Sequence, residues 1–289
     1  MSRQGPSRRQ IWRWLAMVSL PLALVCLMLW RPDHQPPIFD AQVHYNQNAW
    51  KQVRVEAIVN GIRELNVRWL LVGSTPNEGT WRLASALPER VIPMWIPELA
   101  PESRDQWVDD SDQLAAMRRG LDDGRYRGVG ELWLAKGDLD SVGVQQLVAL
   151  ARERDLVLHL RTDPEAIKGL FALEPTLKIL WAHAGIYVAA DEVEAMLWRY
   201  PSLWIELSHR NDATPQGRLN PEWRQLILNH PNRVLIGTGT YSADYWYQYR
   251  TILNDHRRWL GELPEEVAMQ VAYLNGMALF GVADSNRLN

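Results

Sequence analysis

The stretch LVLHLRTDPEAIKGLFAL, residues 156–173, holds one complete strand-and-helix unit. Its first part, Leu156–Arg161, is a short apolar run of the kind that forms a buried strand. Asp163 and Pro164 follow as a helix N-cap and a proline at the first helical position, where no N–H is needed. Apolar residues then recur at helical spacing as far as Leu173. The stretch therefore predicts a strand that leads directly into a helix, the repeating unit of α/β folds.

The same alternation continues in both directions along the chain. Strand-like runs are found at Ile38–Tyr45, Val67–Ser74, Val91–Pro97, Gly128–Leu134, Leu156–Arg161, Lys178–His183, Leu203–Ser208 and Arg233–Thr238. Helical periodicity is found at Val53–Leu65, Asp112–Leu121, Val142–Arg154, Pro164–Leu173, Asp191–Arg199 and Pro221–Asn229, and again within Asp244–Phe280. Eight strands, each followed by a helix or a connector, predict an α/β fold of the (β/α)8 TIM-barrel type. The strand count and the polar residues at strand ends disfavour a doubly wound open sheet.

The N-terminal part of the chain differs from the rest. Trp14–Trp30 is an uncharged apolar run of 17 residues, at the short end of what spans a bilayer. Basic residues precede it, so the positive-inside rule predicts one transmembrane helix with the barrel on the non-cytoplasmic, periplasmic side. A cleaved signal peptide is the alternative. The predicted organisation is a cytoplasmic basic segment (1–13), a transmembrane anchor or uncleaved signal (14–30), a linker (31–37) and the barrel domain (38–289).

The charge and the cysteine content exclude several functions. Residues 1–31 contain five arginines and no acid, which leaves 26 basic and 34 acidic side chains in the remainder, a net charge of −8. So acidic a body offers no electrostatic footprint for nucleic acid. The single cysteine, Cys26, lies in the apolar run, which excludes an intramolecular disulfide and a thiolate zinc site.

Polar side chains collect at the predicted carboxyl ends of the strands, where barrel enzymes place their active sites. The chain has seven histidines, and four of them stand at such ends: His44, His159, His183 and His209. Glu131 stands on the fourth strand. Imidazoles with a carboxylate suit a divalent zinc-like or manganese-like ion, which would activate a bound water. The alternative is a hydrogen-bonded polar core, because buried polar groups need partners with or without a metal.

Six motifs occur in a characteristic order. They are IFDAQVH (38–44), GVGE (128–131), LH (158–159), WAHAG (181–185), PNRVLIGTGT (231–240) and NGMALF (275–280). In this order and spacing they resemble the amidohydrolase superfamily, in its branch of barrel hydrolases and related decarboxylases. The resemblance implies a metal-dependent hydrolase barrel that acts on a small carbonyl compound. It also implies that one divalent metal, zinc or manganese, is held by His44, Glu131, His159 and His183.

Two positions depart from the family pattern. Gln42 replaces the first histidine of the strand-one motif, and a neutral amide oxygen is a poorer ligand than imidazole. Gly239 replaces the aspartate that, by resemblance, binds the metal and takes the proton from the attacking water. A general base contributes a factor of roughly 100 to 10,000, so its loss argues against ordinary hydrolysis and leaves the catalytic residues unassigned. His209 and Arg210, at the rim of strand seven, are candidates for binding an anionic ligand, with a solvated loop pair as the alternative.

These observations leave two functions open. The first is a membrane-anchored, metal-assisted hydrolase, or a lyase, that acts on a small carbonyl compound and has a depleted active site. The second is a catalytically inactive barrel that binds a ligand or a partner, in which case no cofactor is needed. The retained histidines and Glu131 favour the first function, whereas Gln42 and Gly239 favour the second.

Overall fold

The computed structural model describes residues 36–100, 103 and 105–283. The predicted transmembrane anchor at 14–30 and residues 31–35 of the linker lie outside the described residues, so they stay predictions. In the part of the chain that the structure describes, no helix has the length and apolar character needed to cross a bilayer.

Eight parallel strands form one sheet whose order follows the sequence. They are β1 (Ile38–Val43), β2 (Val67–Val72), β3 (Val91–Trp95), β4 (Gly128–Trp133), β5 (Val157–Arg161), β6 (Lys178–Trp181), β7 (Leu203–Glu206) and β8 (Val234–Leu235). The last and first strands meet: the N–H of Ala41 donates to the carbonyl of Ile236 at 2.9 Å, and the N–H of Gly239 donates to the carbonyl of Gln42 at 2.8 Å. The predicted (β/α)8 TIM barrel is therefore confirmed as a nearly closed barrel.

Helices follow the strands and bury their apolar faces against the sheet. They are α1 (Gln47–Trp50), α2 (Val55–Glu64), α3 (Glu78–Ala86), α4 (Ser111–Asp122), α5 (Val142–Arg154), α6 (Pro164–Leu173), α7 (Ala190–Arg199), α8 (Pro221–Asn229), α9 (Ala243–Leu260), α10 (Glu265–Met269) and α11 (Asn275–Phe280). All six predicted helices before α9 are present within two residues of their predicted bounds. The Asp163 carboxylate accepts from the N–H of Ala166 at 2.8 Å, which confirms the predicted cap of α6.

All the strands except β5 end earlier at their carboxyl ends than the apolar runs predict. β6 ends at Trp181 rather than His183, and β7 ends at Glu206 rather than Ser208. After β6 the backbone enters the left-handed region, with φ of 53° at His183 and 43° at Ala184. A left-handed residue cannot continue a strand. His183, Ser208 and His209 therefore stand in turns above the sheet, at the mouth of the barrel, whereas Gln42, Glu131 and Glu206 lie within strands.

The opposite end of the barrel is closed by the C-terminal helix. Phe39 on β1 stacks on Phe280 of α11, with ring centroids 6.0 Å apart. The Asn275 amide donates to the carbonyls of Pro231 and Val234 at 2.8 Å each. These contacts lie at the amino ends of β1 and β8, opposite the carboxyl ends that form the mouth.

Candidate functional site

A pocket of about 290 Å³ opens at the carboxyl ends of the strands. Each of the eight strands, or the connection after it, contributes to the lining. The lining residues are Gln42, His44, Asn46, Thr75, Ile96, Pro97, Glu131, Leu132, Trp133, Arg161, His183, Ile186, His209, Tyr241 and Tyr245. Four of them form a connected group that we term the polar floor: Gln42, His44, Glu131 and His183.

Gln42 joins two members of the polar floor. Its Nε2 donates to Glu131 Oε2 at 2.6 Å and lies 3.0 Å from His44 Nε2. The Nδ1 of His44 hydrogen-bonds the carbonyl of Gly73, which places the proton on Nδ1 and the lone pair on Nε2. That lone pair accepts the second N–H of the Gln42 amide. Gln42 therefore bridges His44 and Glu131 instead of standing beside them as a weak ligand.

His183 forms the other half of the polar floor. Its Nε2 lies 3.1 Å from Glu131 Oε1, and its Nδ1 lies 2.8 Å from Ser208 Oγ and 3.2 Å from Glu206 Oε1. Glu206 is fully buried and also accepts from the backbone N–H groups of His183, at 2.5 Å, and Ser208, at 2.7 Å. The His183 imidazole is therefore held between two carboxylates.

These contacts decide the charges of the site. Burial alone would lower the pKa of His183, but hydrogen bonds with Glu131 and Glu206 raise it to about 10. Burial alone would raise the pKa of Glu206, but the hydrogen bond from His183 lowers it to about 2. The pKa of Glu131, which burial would also raise, is held well below its ordinary value chiefly by the hydrogen bond with His183. At neutral pH an imidazolium lies between two carboxylates.

His159 lies close to this group but does not line the pocket. Its side chain is 2% exposed, and its Nε2 has no hydrogen-bond partner among the described residues. Burial lowers the pKa of His159 to about 4, so the imidazole is neutral at pH 7. Gly130 permits the close approach of β4 and β5, because a Cβ at this position would lie 1.9 Å from the carbonyl oxygen of His159.

A divalent metal, which the resemblance implies, does not fit this arrangement. Among the described residues, no group of three His, Cys, Asp or Glu side chains is placed to hold a metal ion. The chemistry gives a reason: Gln42 directs an N–H donor at the lone pairs of His44 and Glu131, and His183 presents a protonated Nε2 to Glu131. A metal held by His44, Glu131, His159 and His183 stays a prediction.

Arg210, predicted as a candidate ligand-binding residue, does not line the pocket. All its N–H groups are hydrogen-bonded within the fold. Its guanidinium donates to the carbonyls of His183, Ala184 and Val188, and to both carboxylate oxygens of Asp212. The side chain is buried. Arg210 therefore holds the turn after β6 in place and has no donor left for a ligand.

His209, the other candidate from the rim of strand seven, does line the pocket. It follows β7 with φ of 58°, and its ring centroid lies 5.3 Å from that of His183. Burial, followed by the positive charge of His183, lowers the pKa of His209, so its ring is neutral at pH 7. A Cβ at Gly239 would lie 2.0 Å from His209 Nε2. The space above Gly239, where the family has its aspartate, is thus filled by an imidazole from the neighbouring strand.

The sequence analysis missed the cationic wall of the pocket. The Arg161 guanidinium lies 4.3 Å from the Trp133 ring centroid and 3.9 Å from Glu131 Oε1. No described residue hydrogen-bonds this guanidinium, and its side chain is 34% exposed. Arg161 is the last residue of the fifth strand run, so the rule that selected strand-end residues applied to it as well. Glu206 lies near the end of the seventh strand run, but nothing in the sequence shows that it pairs with His183.

The amidohydrolase family model matches residues 40–282. The chain belongs to the amidohydrolase family. The match extends from β1 to just beyond α11 and includes all the residues that line the pocket, so the resemblance that the six motifs indicated is confirmed. No curated protein matches this amidohydrolase-family chain significantly.

Solved structures share the barrel at low sequence identity. An uncharacterised TIM-barrel protein from Bordetella bronchiseptica is 16% identical, with a TM-score of 0.56 over 78% of this chain and 82% of that protein. A probable 2-pyrone-4,6-dicarboxylic acid hydrolase from Acinetobacter baumannii, with citric acid bound, is 13% identical, with a TM-score of 0.53 over 85% and 99%. An amidohydrolase from Burkholderia multivorans with bound zinc is 12% identical, with a TM-score of 0.56 over 86% and 100%. At these identities the likeness shows the fold alone.

Proposed function

We propose that this amidohydrolase-family barrel hydrolyses a small carbonyl compound that carries a carboxylate, such as a lactone or an ester. The observation that carries the proposal is Arg161, a cation in the pocket wall with no hydrogen-bond partner among the described residues. A guanidinium presents five N–H donors in a planar fork that matches a carboxylate. The Trp133 ring holds one face of this fork, which fixes its direction at little entropic cost.

The size of the pocket and the names of two relatives support the same class of substrate. A volume of about 290 Å³ lies at the lower limit of small-molecule sites, which favours a compact ligand. One structural neighbour is a probable 2-pyrone-4,6-dicarboxylic acid hydrolase with citric acid bound, and both compounds carry carboxylates. A second neighbour, from Pseudomonas putida, is described as a hydrolase of the same pyrone.

The residues of the pocket bind the substrate and fix its orientation. Arg161 binds the carboxylate of the substrate and holds its carbonyl above the polar floor. The floor cannot rearrange easily, because Gln42 and His183 tie its members together. In the reaction an oxygen of water bonds to the carbonyl carbon, and the bond from that carbon to the leaving oxygen breaks. The products are a carboxylic acid and an alcohol, which remain in one molecule when the substrate is a lactone.

A catalytically inactive, ligand-binding barrel is the second candidate function. The observation that favours it is the Gln42 amide, whose N–H groups donate to His44 Nε2 and to Glu131 Oε2. In this alternative the pocket binds the same carboxylate-bearing compound through Arg161 but does not cleave it. Binding and turnover must therefore be measured separately.

The test uses the full chain purified without chelator. We expect hydrolysis of 2-pyrone-4,6-dicarboxylate, followed by loss of its ultraviolet absorbance, and binding of citrate, measured by calorimetry. Arg161→Ala should weaken citrate binding by about tenfold or more, because charge-assisted hydrogen bonds are lost. Arg125→Ala is the matched control, since Arg125 also lies 4.3 Å over a tryptophan, Trp81, but outside the pocket.

Each outcome decides between the candidates. Citrate binding that depends on Arg161 without hydrolysis would support the inactive barrel. Equal affinities in the wild type and in Arg161→Ala would contradict carboxylate recognition by Arg161. About one equivalent of zinc or manganese by elemental analysis, lost in His183→Ala, would support the metal-assisted form, and the lyase alternative would show as decarboxylation of an acid in the same screen.

We also propose that residues 14–30 anchor the barrel to a membrane, with residues 38–289 on the non-cytoplasmic side. The apolar run and the arginines before it support this proposal. We expect the chain to stay with membranes after an alkaline carbonate wash and to be digested by protease added from the periplasmic side. Complete release by the wash, or protection from that protease, would contradict it.

A further inference from the structure

We propose that His209 is the catalytic residue that accepts the proton of the attacking water, in place of the aspartate that strand eight lacks at Gly239. The proposal rests on the hydrolysis proposed above. It assigns to the His209 imidazole the role of general base, for which the sequence analysis found no residue. Its basis is the position of His209 relative to Gly239 and the state of its ring nitrogens.

The position of the imidazole matches that of the missing carboxylate. In an aspartate the carboxyl oxygens lie about 2.4 Å from Cβ, as standard C–C and C–O bond lengths require. His209 Nε2 lies 2.0 Å from the place where a Cβ at residue 239 would stand. An imidazole nitrogen therefore stands within the space that an aspartate side chain at this position would need, although it comes from the connection after β7. Only glycine leaves this space open, and its φ of +65° also favours glycine.

The imidazole is held by ring contacts and not by hydrogen bonds. Its ring centroid lies 5.1 Å from that of Tyr245 in an edge-to-face contact and 5.6 Å from that of Tyr241. Neither ring nitrogen hydrogen-bonds a residue in the part of the chain that the structure describes, and the ring lines the pocket. Aromatic contacts fix the plane of the ring. The nitrogens keep their capacity to accept and donate a proton.

The chemical step balances without any other reactant. As the water oxygen bonds to the carbonyl carbon, His209 Nε2 accepts one proton of that water. The tetrahedral intermediate then restores its carbonyl, the bond from carbon to the leaving oxygen breaks, and the imidazolium returns its proton to that oxygen. An ester gives one carboxylic acid and one alcohol, a lactone gives a single ring-opened molecule that carries both groups, and His209 is restored.

The first experiment tests whether His209 fills the space above Gly239, and it needs no substrate. Gly239→Ala should lower the melting temperature of the full chain by about 3–8 °C more in the wild type than in His209→Ala, because the added Cβ collides with the imidazole. The cost of a side chain at positive φ is common to both backgrounds and cancels. Gly124→Ala is the matched control, since Gly124 has φ of +71° and no neighbour within 4 Å. Equal costs of Gly239→Ala in the two backgrounds would overturn the proposal.

The second experiment tests the proton transfer, with 2-pyrone-4,6-dicarboxylate as the probe. His209→Ala should lower kcat by a factor of about 100 to 10,000 with little change in KM. The double variant His209→Ala with Gly239→Asp should recover at least about tenfold, because the carboxylate enters the vacated space. His230→Ala is the control, since His230 also packs on an aromatic ring, Trp198, but lies outside the pocket.

The outcomes separate the two proposals. An unchanged kcat in His209→Ala would overturn the role of His209 while leaving hydrolysis intact. A wild-type protein without activity would overturn the proposed hydrolysis and the proton transfer together, and the melting cycle would still decide whether His209 takes the place of the missing side chain.

Discussion

The turns after β6 and β7 place two histidines side by side, and the two are built in opposite ways. Both His183 and His209 have left-handed backbones, and their ring centroids lie 5.3 Å apart. Both nitrogens of His183 face acceptors, and carboxylates on two sides raise its pKa to about 10. His209 has no hydrogen-bond partner among the described residues, and burial lowers its pKa.

The difference separates a histidine that builds the site from one that can react in it. An imidazolium whose N–H groups are engaged by buried carboxylates stabilises the fold and cannot easily release a proton. A neutral imidazole held only by ring contacts can accept one. The motif WAHAG around His183 therefore identifies the family, whereas the less distinctive His209 is the better candidate for chemistry.

We expect the largest effect on the contrast between His183 and His209 when the turn after β6 is released. Arg210→Ala removes a buried guanidinium that donates to the carbonyls of His183, Ala184 and Val188. We expect the free energy of unfolding to fall by about 3–5 kcal/mol, because buried acceptors lose their partners. Urea denaturation followed by circular dichroism measures it.

Arg218→Ala is the control for this prediction. Arg218 is 79% exposed and reaches Glu262 only at 4.0 Å, so its loss should change the free energy of unfolding by less than about 0.5 kcal/mol. Equal effects of the two substitutions would show that Arg210 does not hold the turn.

Folding raises the pKa of His183 and lowers that of His209. We expect the resulting pH dependence of the free energy of unfolding to be the next largest effect. Because folding raises the pKa of His183 from about 6.5 to about 10, its contribution is fully present below pH 6.5 and is lost as the pH rises through 10. We expect the free energy of unfolding to fall between these values by about 2–3 kcal/mol more in the wild type than in His183→Gln. Denaturation curves at several alkaline pH values measure it.

His209→Gln is the matched control for the pH dependence. Its pKa is lowered on folding, so its contribution changes only as the pH falls below about 6.5, and the alkaline slope should match that of the wild type. A slope that is unaffected by His183→Gln would contradict the imidazolium between two carboxylates.

The fold could be predicted from local patterns because residues within each strand-and-helix unit mark where its helix begins. Asp163 with Pro164 marked the start of α6, and the structure has the cap and the helix bounds that this pair predicts. All the strands except β5 were predicted to extend too far at their carboxyl ends, since apolar periodicity does not reveal where the backbone turns left-handed. At His183 that turn depends on carbonyl contacts from Arg210, which is 27 residues away.

The site was only partly predictable, because its decisive contacts join different strands. The strand-end rule found His44, Glu131 and His183, which do meet in the polar floor. The rule gave no role to Gln42, which the resemblance placed where the family has a ligand histidine and which bridges His44 and Glu131 through its nitrogen. It could not show that the gap at Gly239 is filled from β7, since no spacing along the chain records a contact between neighbouring strands.

A third histidine, His159, gives the smallest of the expected effects. It sharpens the comparison because it is buried, as His183 is, but has no carboxylate hydrogen-bonded to its ring. His159 is neutral, and its Nε2 has no hydrogen-bond partner within the described residues. We expect His159→Leu to raise the free energy of unfolding by about 1 kcal/mol, because an apolar side chain of similar size removes an unsatisfied buried nitrogen.

His256→Leu is the matched control for this substitution. His256 is also buried, but its Nε2 pairs with the carbonyl of Gly237 at 2.9 Å and its Nδ1 accepts from the Trp259 indole at 3.1 Å. The same change there should lower the free energy of unfolding by about 2 kcal/mol, because two partners are left unsatisfied. If His159→Leu were equally destabilising, the Nε2 of His159 would have a partner in solution. A simultaneous loss of bound zinc or manganese would identify that partner as the metal that the family resemblance implies.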